Sequence, residues 1–501
     1  MKEGFVYLVG AGPGDPLLVT LKGKKCLEEA DVIIYDYLAN KEILSFAKKD
    51  CQLIYVGKKS KDHTVDQDNI NRIIVEKAKE GKKVVRLKGG DPFIFGRGGE
   101  EALFLREHNI EYEIVPGITS GIAAALYAGI PLTMRGVNST LALATGHESD
   151  DKELSLIDWD ALSKMGTLIF YMGVKNLPQI VDNLKKAGMK STTPIALVRW
   201  ATYPEQWVLE GTLENICELV DKMKFKAPAI IIIGEVVALR EKLKWFENKP
   251  LFGKKIIVTR ASDQAGRFSQ KLRELGARVY ETPTIKIVPY KDYSRLDEAI
   301  ENISVYQILI LTSVNGVKYF FDRLKNLGKD GRTLANIKIC AIGPATADAI
   351  KEKFLNVDIF PEKYVAESVI ESLDKIGIKG KKFLLCRALV ARDVIPDEIR
   401  LRGGYIDVIP VYETLKDEES RDKLQRTLRE EVHYITFTSS STVKNFFELI
   451  GEERRLLEKV KFASIGPVTS DTLRKIGYEP SLEAENYTIH GLIEAIIKDN
   501  S

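Results

Sequence analysis

Two glycine-rich segments near the amino end carry residue types from which chemistry can be built. The first, Gly10-Ala11-Gly12-Pro13-Gly14-Asp15-Pro16, follows an apolar run and precedes a helical pattern. Glycine at such a turn lets a ligand approach the backbone closely. Asp15 stands where G-x-G-x-x-G has its third glycine, and Pro13 and Pro16 lack N–H donors that a pyrophosphate cradle uses. A loop that binds a ligand without phosphate fits better than a dinucleotide fingerprint. S-adenosylmethionine is such a ligand, and a tight structural turn is the plain alternative. The second segment runs from Lys88-Gly89-Gly90-Asp91-Pro92 to Arg97-Gly98-Gly99. Asp91 can accept hydrogen bonds from an amine or a ribose, and Arg97, between glycines, is suited to reach an anion. A helix start with solvated charges is the competing reading. Pro116-Gly117-Ile118-Thr119-Ser120-Gly121 adds small hydroxyl residues before an apolar helix over 122–128.

These loops need elements to hold them. Residues 5–9, 32–35 and 84–87 read as strands, with helices over 18–30 and 99–106. This βαβ rhythm implies a parallel α/β sheet. After Pro116-Gly117 the pattern restarts, with strands at 141–145, 167–172, 195–200 and 229–233, so the half reads as two lobes, about 1–116 and 117–240, with a cleft between them. The charged stretch 241–252 carries Pro250 and reads as a linker before a second half over 253–501. That half repeats itself. Leu311-Thr312-Ser313 returns as Phe437-Thr438-Ser439, and Ala341-Ile342-Gly343-Pro344-Ala345-Thr346 returns as Ser464-Ile465-Gly466-Pro467-Val468-Thr469. Two copies predict two similar α/β lobes rather than a solenoid, with a ligand between them. The repeated Thr-Ser and Gly-Pro-x-Thr turns offer hydroxyls and backbone N–H groups to carboxylates, or simply cap helices.

Composition narrows the function classes. The chain has 501 residues, 45% of them apolar, enough for several cores. The 74 Lys and Arg against 71 Asp and Glu leave a net charge of +3, so overall charge does not point to nucleic acid as a partner. The 5 cysteines are scattered without a C-x-x-C pair and the 5 histidines lack ligand spacing, so reduced thiols and no metal are expected. The absence of a long apolar run or a leader-like start gives the expectation of a cytoplasmic protein without a membrane partner. Neither half holds a nicotinamide fingerprint, so no NAD is expected.

Residues 9–16, Tyr35-Asp36, Val56-Gly57-Lys58, the Gly-Gly-Asp-Pro segment, 116–120, Tyr171-Met172-Gly173 and Gly234-Glu235 occur in an order that resembles the uroporphyrinogen-III C-methyltransferase family. The resemblance covers residues 1–240 and implies a two-lobed tetrapyrrole methylase fold, usually a homodimer. It also implies methyl transfer from S-adenosylmethionine to C2 and C7 of uroporphyrinogen III, giving precorrin-2. Carried onto matching positions, Pro13, Gly89, Gly90, Asp91, Ile94, Thr119, Ser120, Met172 and the position of Ala201 line the cofactor site. Asp36 becomes the proton acceptor and Lys58 the proton donor, while Arg97 and Arg135 face substrate carboxylates. Two departures stand out. The family usually has glycine where this chain has Ala201, and often histidine where it has Met134.

Val258-Thr259-Arg260, 311–313, 341–346, Val411-Tyr412-Glu413-Thr414, 437–439 and 465–467 resemble the uroporphyrinogen-III synthase family. That resemblance implies two α/β lobes, 253–285 with 412–501 and 286–411, joined by a two-stranded connection. The reaction implied is cyclisation of hydroxymethylbilane with inversion of ring D. Tyr412 would assist departure of the hydroxyl, and Thr312, Ser313, Thr438, Ser439 and Thr469 would bind substrate carboxylates. Together the halves read as a bifunctional enzyme in which one half's product is the other's substrate. The alternative is another tetrapyrrole or rRNA methylase fused to a non-catalytic ligand-binding clamp.

Overall fold

The computed structural model describes residues 4–57, 66–147, 156–364 and 366–501. The chain divides into two compact units, Met1–Gly253 with Leu275–Arg278, and Lys254–Glu274 with Val279–Ser501. In the first unit, short apolar runs become strands covered on both faces. Val6, Leu8 and Val9 of β1 (Phe5–Gly10) and Val84, Val85 and Leu87 of β4 (Lys83–Lys88) are fully buried. With β2 (Val32–Tyr35), β3 (Gln52–Tyr55) and β5 (Glu111–Val115) they form a sheet of order β3-β2-β4-β1-β5, parallel throughout. The βαβ rhythm required this, because parallel neighbours need a crossover between them. The helix expected at 18–30 is a 3-10 turn, Pro16–Leu18, followed by α1 (Leu21–Glu29). Thr20 divides the two because its hydroxyl accepts from the Gly23 N–H at 3.0 Å and starts the helix afresh. Helices α2 (Gln67–Lys79), α3 (Gly98–Glu107) and α4 (Ser120–Tyr127) follow.

The second sheet of this unit corrects the expectation of a parallel arrangement. Its strands are β6 (Leu141–Thr145), β7 (Thr167–Tyr171), β8 (Pro194–Arg199), β9 (Trp207–Thr212) and β10 (Ala229–Ile233), in the order β6-β7-β10-β8-β9. Only β6 and β7 run parallel, and the other three contacts are antiparallel. The short link between β8 and β9 cannot carry a crossover, so these strands pair as a hairpin. Residues 241–252, read as a linker, are packed. Phe246 and Leu251 are buried, and Glu247 accepts from Arg240 at 2.5 Å and from Gln206 at 2.9 Å. The unit ends at Gly253, after this segment rather than before it.

The second unit holds two five-stranded sheets. One contains β11 (Lys255–Val258), β12 (Arg278–Glu281), β18 (Tyr434–Phe437), β19 (Lys461–Ser464) and β20 (Leu482–Glu483), in the order β12-β11-β18-β19-β20. The other contains β13 (Ile285–Pro289), β14 (Ile308–Leu311), β15 (Lys338–Ala341), β16 (Lys382–Ala388) and β17 (Tyr405–Lys416), in the order β13-β17-β16-β14-β15. β13 and β17 pair antiparallel from Ile285↔Lys416 to Pro289↔Tyr412. The chain therefore passes between the sheets near 284 and 417, and residues 412–416 lie with the second sheet rather than the first.

Candidate active site

The two glycine-rich loops leave the ends of β1 and β4, which are neighbours in the sheet, so they emerge side by side. Gly12 N–H donates to the Gly90 carbonyl at 3.1 Å, and Gly90 N–H donates back to Gly12 at 2.8 Å. Such contact needs bare backbone. A Cβ on Gly117 would lie 2.2 Å from the Gly90 oxygen, and one on Gly10 would lie 2.6 Å from the Gly117 Cα. Asp15 holds the first loop by donating its N–H to Thr202 Oγ1 at 3.0 Å, while its carboxylate accepts from Leu17 N–H at 2.9 Å. Asp91 holds the second, accepting from Phe93 N–H at 2.8 Å and Gly117 N–H at 3.0 Å. Its first task is thus to brace the turn, with lone pairs left for a ligand.

These loops frame a cavity of about 610 Å³ between the two sheets of the first unit. Pro13, Asp36, Gly89, Gly90, Asp91, Ile94, Arg97, Thr119, Ser120, Met172 and Ala201 all line it. Leu38, Ile70, Phe95, Val198, Trp200 and Ile230 make its apolar walls. Positive φ occurs at Phe95 (52°), Arg97 (59°), Met172 (55°), Trp200 (49°) and Thr202 (73°), all non-glycine residues lining this cavity or next to one that does. Residues held at such φ cluster at ligand clamps and active sites, which points to this cavity as the candidate site. Ala201 itself keeps an ordinary φ, since the strain falls on Trp200 and Thr202. Alanine at this position therefore carries no cost from a left-handed backbone.

Individual side chains differ from simple expectation. Thr119 Oγ1 lies 2.8 Å from the Tyr171 hydroxyl, which also accepts from Gly121 N–H at 3.0 Å, so Thr119 is tied to β7. Burial pushes the Tyr171 phenol up, keeping it neutral. Arg97 reaches Glu100 at 2.7 and 2.9 Å and remains more than half exposed. Arg135 is exposed on the loop before β6 and is not among the residues lining the cavity. Lys58 lies outside the described residues. Asp36 stands just past the end of β2, one oxygen accepting from Leu38 N–H at 3.1 Å and the other from Arg86 at 3.0 Å.

Sequence reasoning passed over Arg86, Lys88 and Glu101. Arg86 and Lys88 lie on one face of β4, at 3% and 4% exposure, and both line the cavity. Glu101 on α3 is 1% exposed and accepts from Lys88 at 2.8 Å and Arg86 at 3.1 Å. Burial, then the neighbouring guanidinium, push the Lys88 ammonium down against the opposing pull of Glu101. The available signal was two cations at alternate positions of a strand whose neighbouring residues, Val84, Val85 and Leu87, are apolar.

In the second unit, Ser313 and Ser439 are the N-caps of helices Val314–Asn326 and Ser440–Ile450. Ser313 accepts from Gly316 N–H at 3.0 Å and lies 3.0 Å from the Tyr412 hydroxyl. Tyr412, expected at the junction where the chain returns to the first lobe, sits in β17 at 8% exposure and stacks on Tyr319. Thr312 and Thr438 are half-buried at the ends of β14 and β18. Thr469, expected to bind a carboxylate, is 4% exposed and lies in the first turn of helix Pro467–Lys475. A cavity of about 350 Å³ near Glu483 and Asp499 contains none of the expected synthase residues. Among the described residues no cluster of His, Cys, Asp and Glu could hold a metal, and no helix is long and apolar enough to cross a membrane.

Paired α/β lobes with glycine loops over a cleft form the first unit, and its match to a family model makes it a methylase of the tetrapyrrole type. Residues 6–217 match the family model of tetrapyrrole (corrin/porphyrin) methylases, and residues 266–494 match that of uroporphyrinogen-III synthase. The chain is 41% identical over 500 residues to a porphyrin biosynthesis protein of Ruminiclostridium josui, covering 99% of this chain and 98% of that one. Residues of the first half are 54% identical to a uroporphyrinogen-III C-methyltransferase of Priestia megaterium, covering 47% of this chain and 98% of that protein. The crystal structure of a uroporphyrin-III C-methyltransferase of Thermus thermophilus is 39% identical, with a TM-score of 0.41, covering 47% of this chain and all of that one. The chain belongs to the bifunctional tetrapyrrole-biosynthesis family that joins a uroporphyrinogen-III C-methyltransferase to a uroporphyrinogen-III synthase.

Proposed function

We propose that the first unit methylates uroporphyrinogen III at C2 and C7 to give precorrin-2. The second unit supplies that substrate from hydroxymethylbilane with inversion of ring D. The observation carrying the first part is the convergence of Pro13, Gly89–Asp91, Ile94, Thr119–Ser120, Met172 and Ala201 from distant segments onto one cavity with Asp36 in its wall. The bare backbone at Gly12 and Gly90 suits close approach by an uncharged adenosine and an amino-acid tail. Those residues would hold S-adenosylmethionine, which when bound supplies an electrophilic methyl group. The apolar walls exclude water. A pyrrole carbon that gains a carbon–carbon bond leaves an acidic ring proton, and Asp36, steadied by Arg86, is placed to accept it. Lys58 is assigned as donor, and Arg97 and Arg135 as partners for acetate and propionate side chains.

In the second unit, Tyr412 would donate its phenolic proton to the departing hydroxyl of hydroxymethylbilane, oriented by Ser313. Thr312, Thr438 and Ser439 would receive substrate carboxylates at helix N-termini. A homodimer formed through the first unit is the proposed assembly, which sedimentation measures directly.

The deciding experiment is anaerobic incubation with hydroxymethylbilane, with and without S-adenosylmethionine, resolving isomers by chromatography and mass. Uroporphyrinogen III without the donor and a dimethylated product with it are expected. The type I isomer alone would deny the synthase activity, and supplied uroporphyrinogen III left unmethylated would deny the transferase.

A further inference from the structure

Beside the residues already assigned, the cavity wall contains an ionic group that a purely structural purpose does not explain. Glu101 Oε1 collects three donors: Lys88 Nζ at 2.8 Å, Arg86 Nε at 3.1 Å and Gln67 Nε2 at 3.2 Å. Glu101 Oε2 is buried with no partner. Arg86 spends its remaining nitrogens on Asp36 at 3.0 Å and on the Leu87 carbonyl at 3.0 Å. Glu101 and Arg86 are both at least 97% buried, yet Arg86, Lys88 and Asp36 line the cavity.

Taking two cations and a carboxylate out of water costs several kcal/mol per ion before their attraction repays it, and apolar packing of similar volume is often as stable. A half-satisfied carboxylate makes the arrangement costlier still. Position supplies what stability does not. The charges of Arg86, Lys88, Glu101 and Asp36 balance, and Glu101 is the one member absent from the cavity lining. It meets α3 to the central strand β4 and fixes both cations from behind. We infer that Glu101 is a positioning residue for methyl transfer, holding the Lys88 ammonium directly and the Asp36 carboxylate through Arg86 at the cavity wall. This inference rests on the reading of Asp36 as proton acceptor.

Three full-length variants test it: Glu101→Gln, Lys88→Met combined with Glu101→Leu, and Asp36→Asn. Each is assayed for methylation of uroporphyrinogen III and, by calorimetry, for binding of S-adenosylhomocysteine. Glu101→Gln keeps an acceptor at Oε1 but loses the charge. It is expected to lower kcat about tenfold or more while KM and the S-adenosylhomocysteine Kd stay within about twofold. The doubly apolar variant is expected to fold and bind S-adenosylhomocysteine yet share the loss of kcat. Full methylation rate in that variant would overturn the inference, making the group mere scaffolding. A fall in kcat that only tracks lost binding would overturn it as well. Asp36→Asn separates the two readings. A normal rate there removes Asp36 from the reaction, whereas a slow Asp36→Asn with a normal Glu101→Gln defeats only the role of Glu101.

Discussion

Replacing Tyr171 by Phe removes one oxygen and nothing else, and the structure states what depends on it. The hydroxyl lies 2.8 Å from Thr119 Oγ1 and 3.0 Å from Gly121 N, on a side chain 6% exposed. A neutral hydrogen bond contributes ~1 kcal/mol net, and a buried N–H left without a partner costs ~1–3 kcal/mol. The Gly121 N–H is fixed at the start of α4 and loses its partner outright, so the loss is about 2 kcal/mol. In a unit of this size that lowers the melting temperature by about 4–8 °C. The assay is scanning calorimetry of the whole chain, where the transition raised by S-adenosylhomocysteine belongs to the first unit. Part of the loss passes to the ligand, since Thr119 is no longer held, and its Kd is expected to rise up to about tenfold, or 1.4 kcal/mol. Gly121→Ala should act alike by a different route, because its Cβ would stand 2.3 Å from the Tyr171 oxygen. A Tyr171→Phe protein whose transition moves less than about 1 °C, with an unchanged Kd, would refute the claim that this phenol ties the cradle to β7.

Tyr412→Phe should slow formation of uroporphyrinogen III about tenfold or more with the second unit still folded, and an unchanged rate would remove the phenol from the reaction. Acid should weaken the second unit through two carboxylates. Burial pushes Asp407 up, but hydrogen bonds from Tyr306 at 2.6 Å and from Lys382 outweigh it and hold the carboxyl below its usual range. Asp499 is held down likewise, against burial, by Lys461 at 2.7 Å and Tyr434 at 2.7 Å. A depressed folded pKa means the unfolded chain binds more protons, so this stability is complete above about pH 4 and disappears as pH falls through the folded value. Denaturant midpoints from pH 5 to 2 should therefore fall less steeply in Asp407→Asn with Asp499→Asn, and identical slopes would deny the effect. Of the five thiols, Cys340, pushed up to about 12 by burial, and Cys386, pushed higher still, should resist a thiol reagent until the protein unfolds. Cys51 and Cys217 are only partly buried and should react first; early modification of Cys386 would mean the second unit opens locally.

Sequence marked the central strands and one edge strand, β6. β1, β2, β7 and β10 are short apolar runs because both faces are covered, and that burial is written into composition. Edge strands β3 and β5, reading Gln-Leu-Ile-Tyr and Glu-Tyr-Glu-Ile-Val, carry polar residues and stay mixed in exposure, so no apolar run announced them. The β8–β9 hairpin was missed for want of a strong turn signal, and the mixed second sheet went unforeseen with it.

Sequence alone specified where the chain must bend tightly and bring backbone to backbone, because only glycine permits the approach seen at Gly10 and Gly117 and readily takes the positive φ of Gly90. It also determined the repeat of the second half, with a serine cap after each matched strand. Tertiary structure alone decided what the side chains do. It tied Thr119 to Tyr171, set Tyr412 against Ser313, buried Thr469, and joined Arg86 and Lys88 to Glu101. A glycine turn is a local steric requirement and leaves a local mark. A hydrogen bond between residues 50 or 99 positions apart is chosen by packing, and any polar residue at either place would look the same in the sequence.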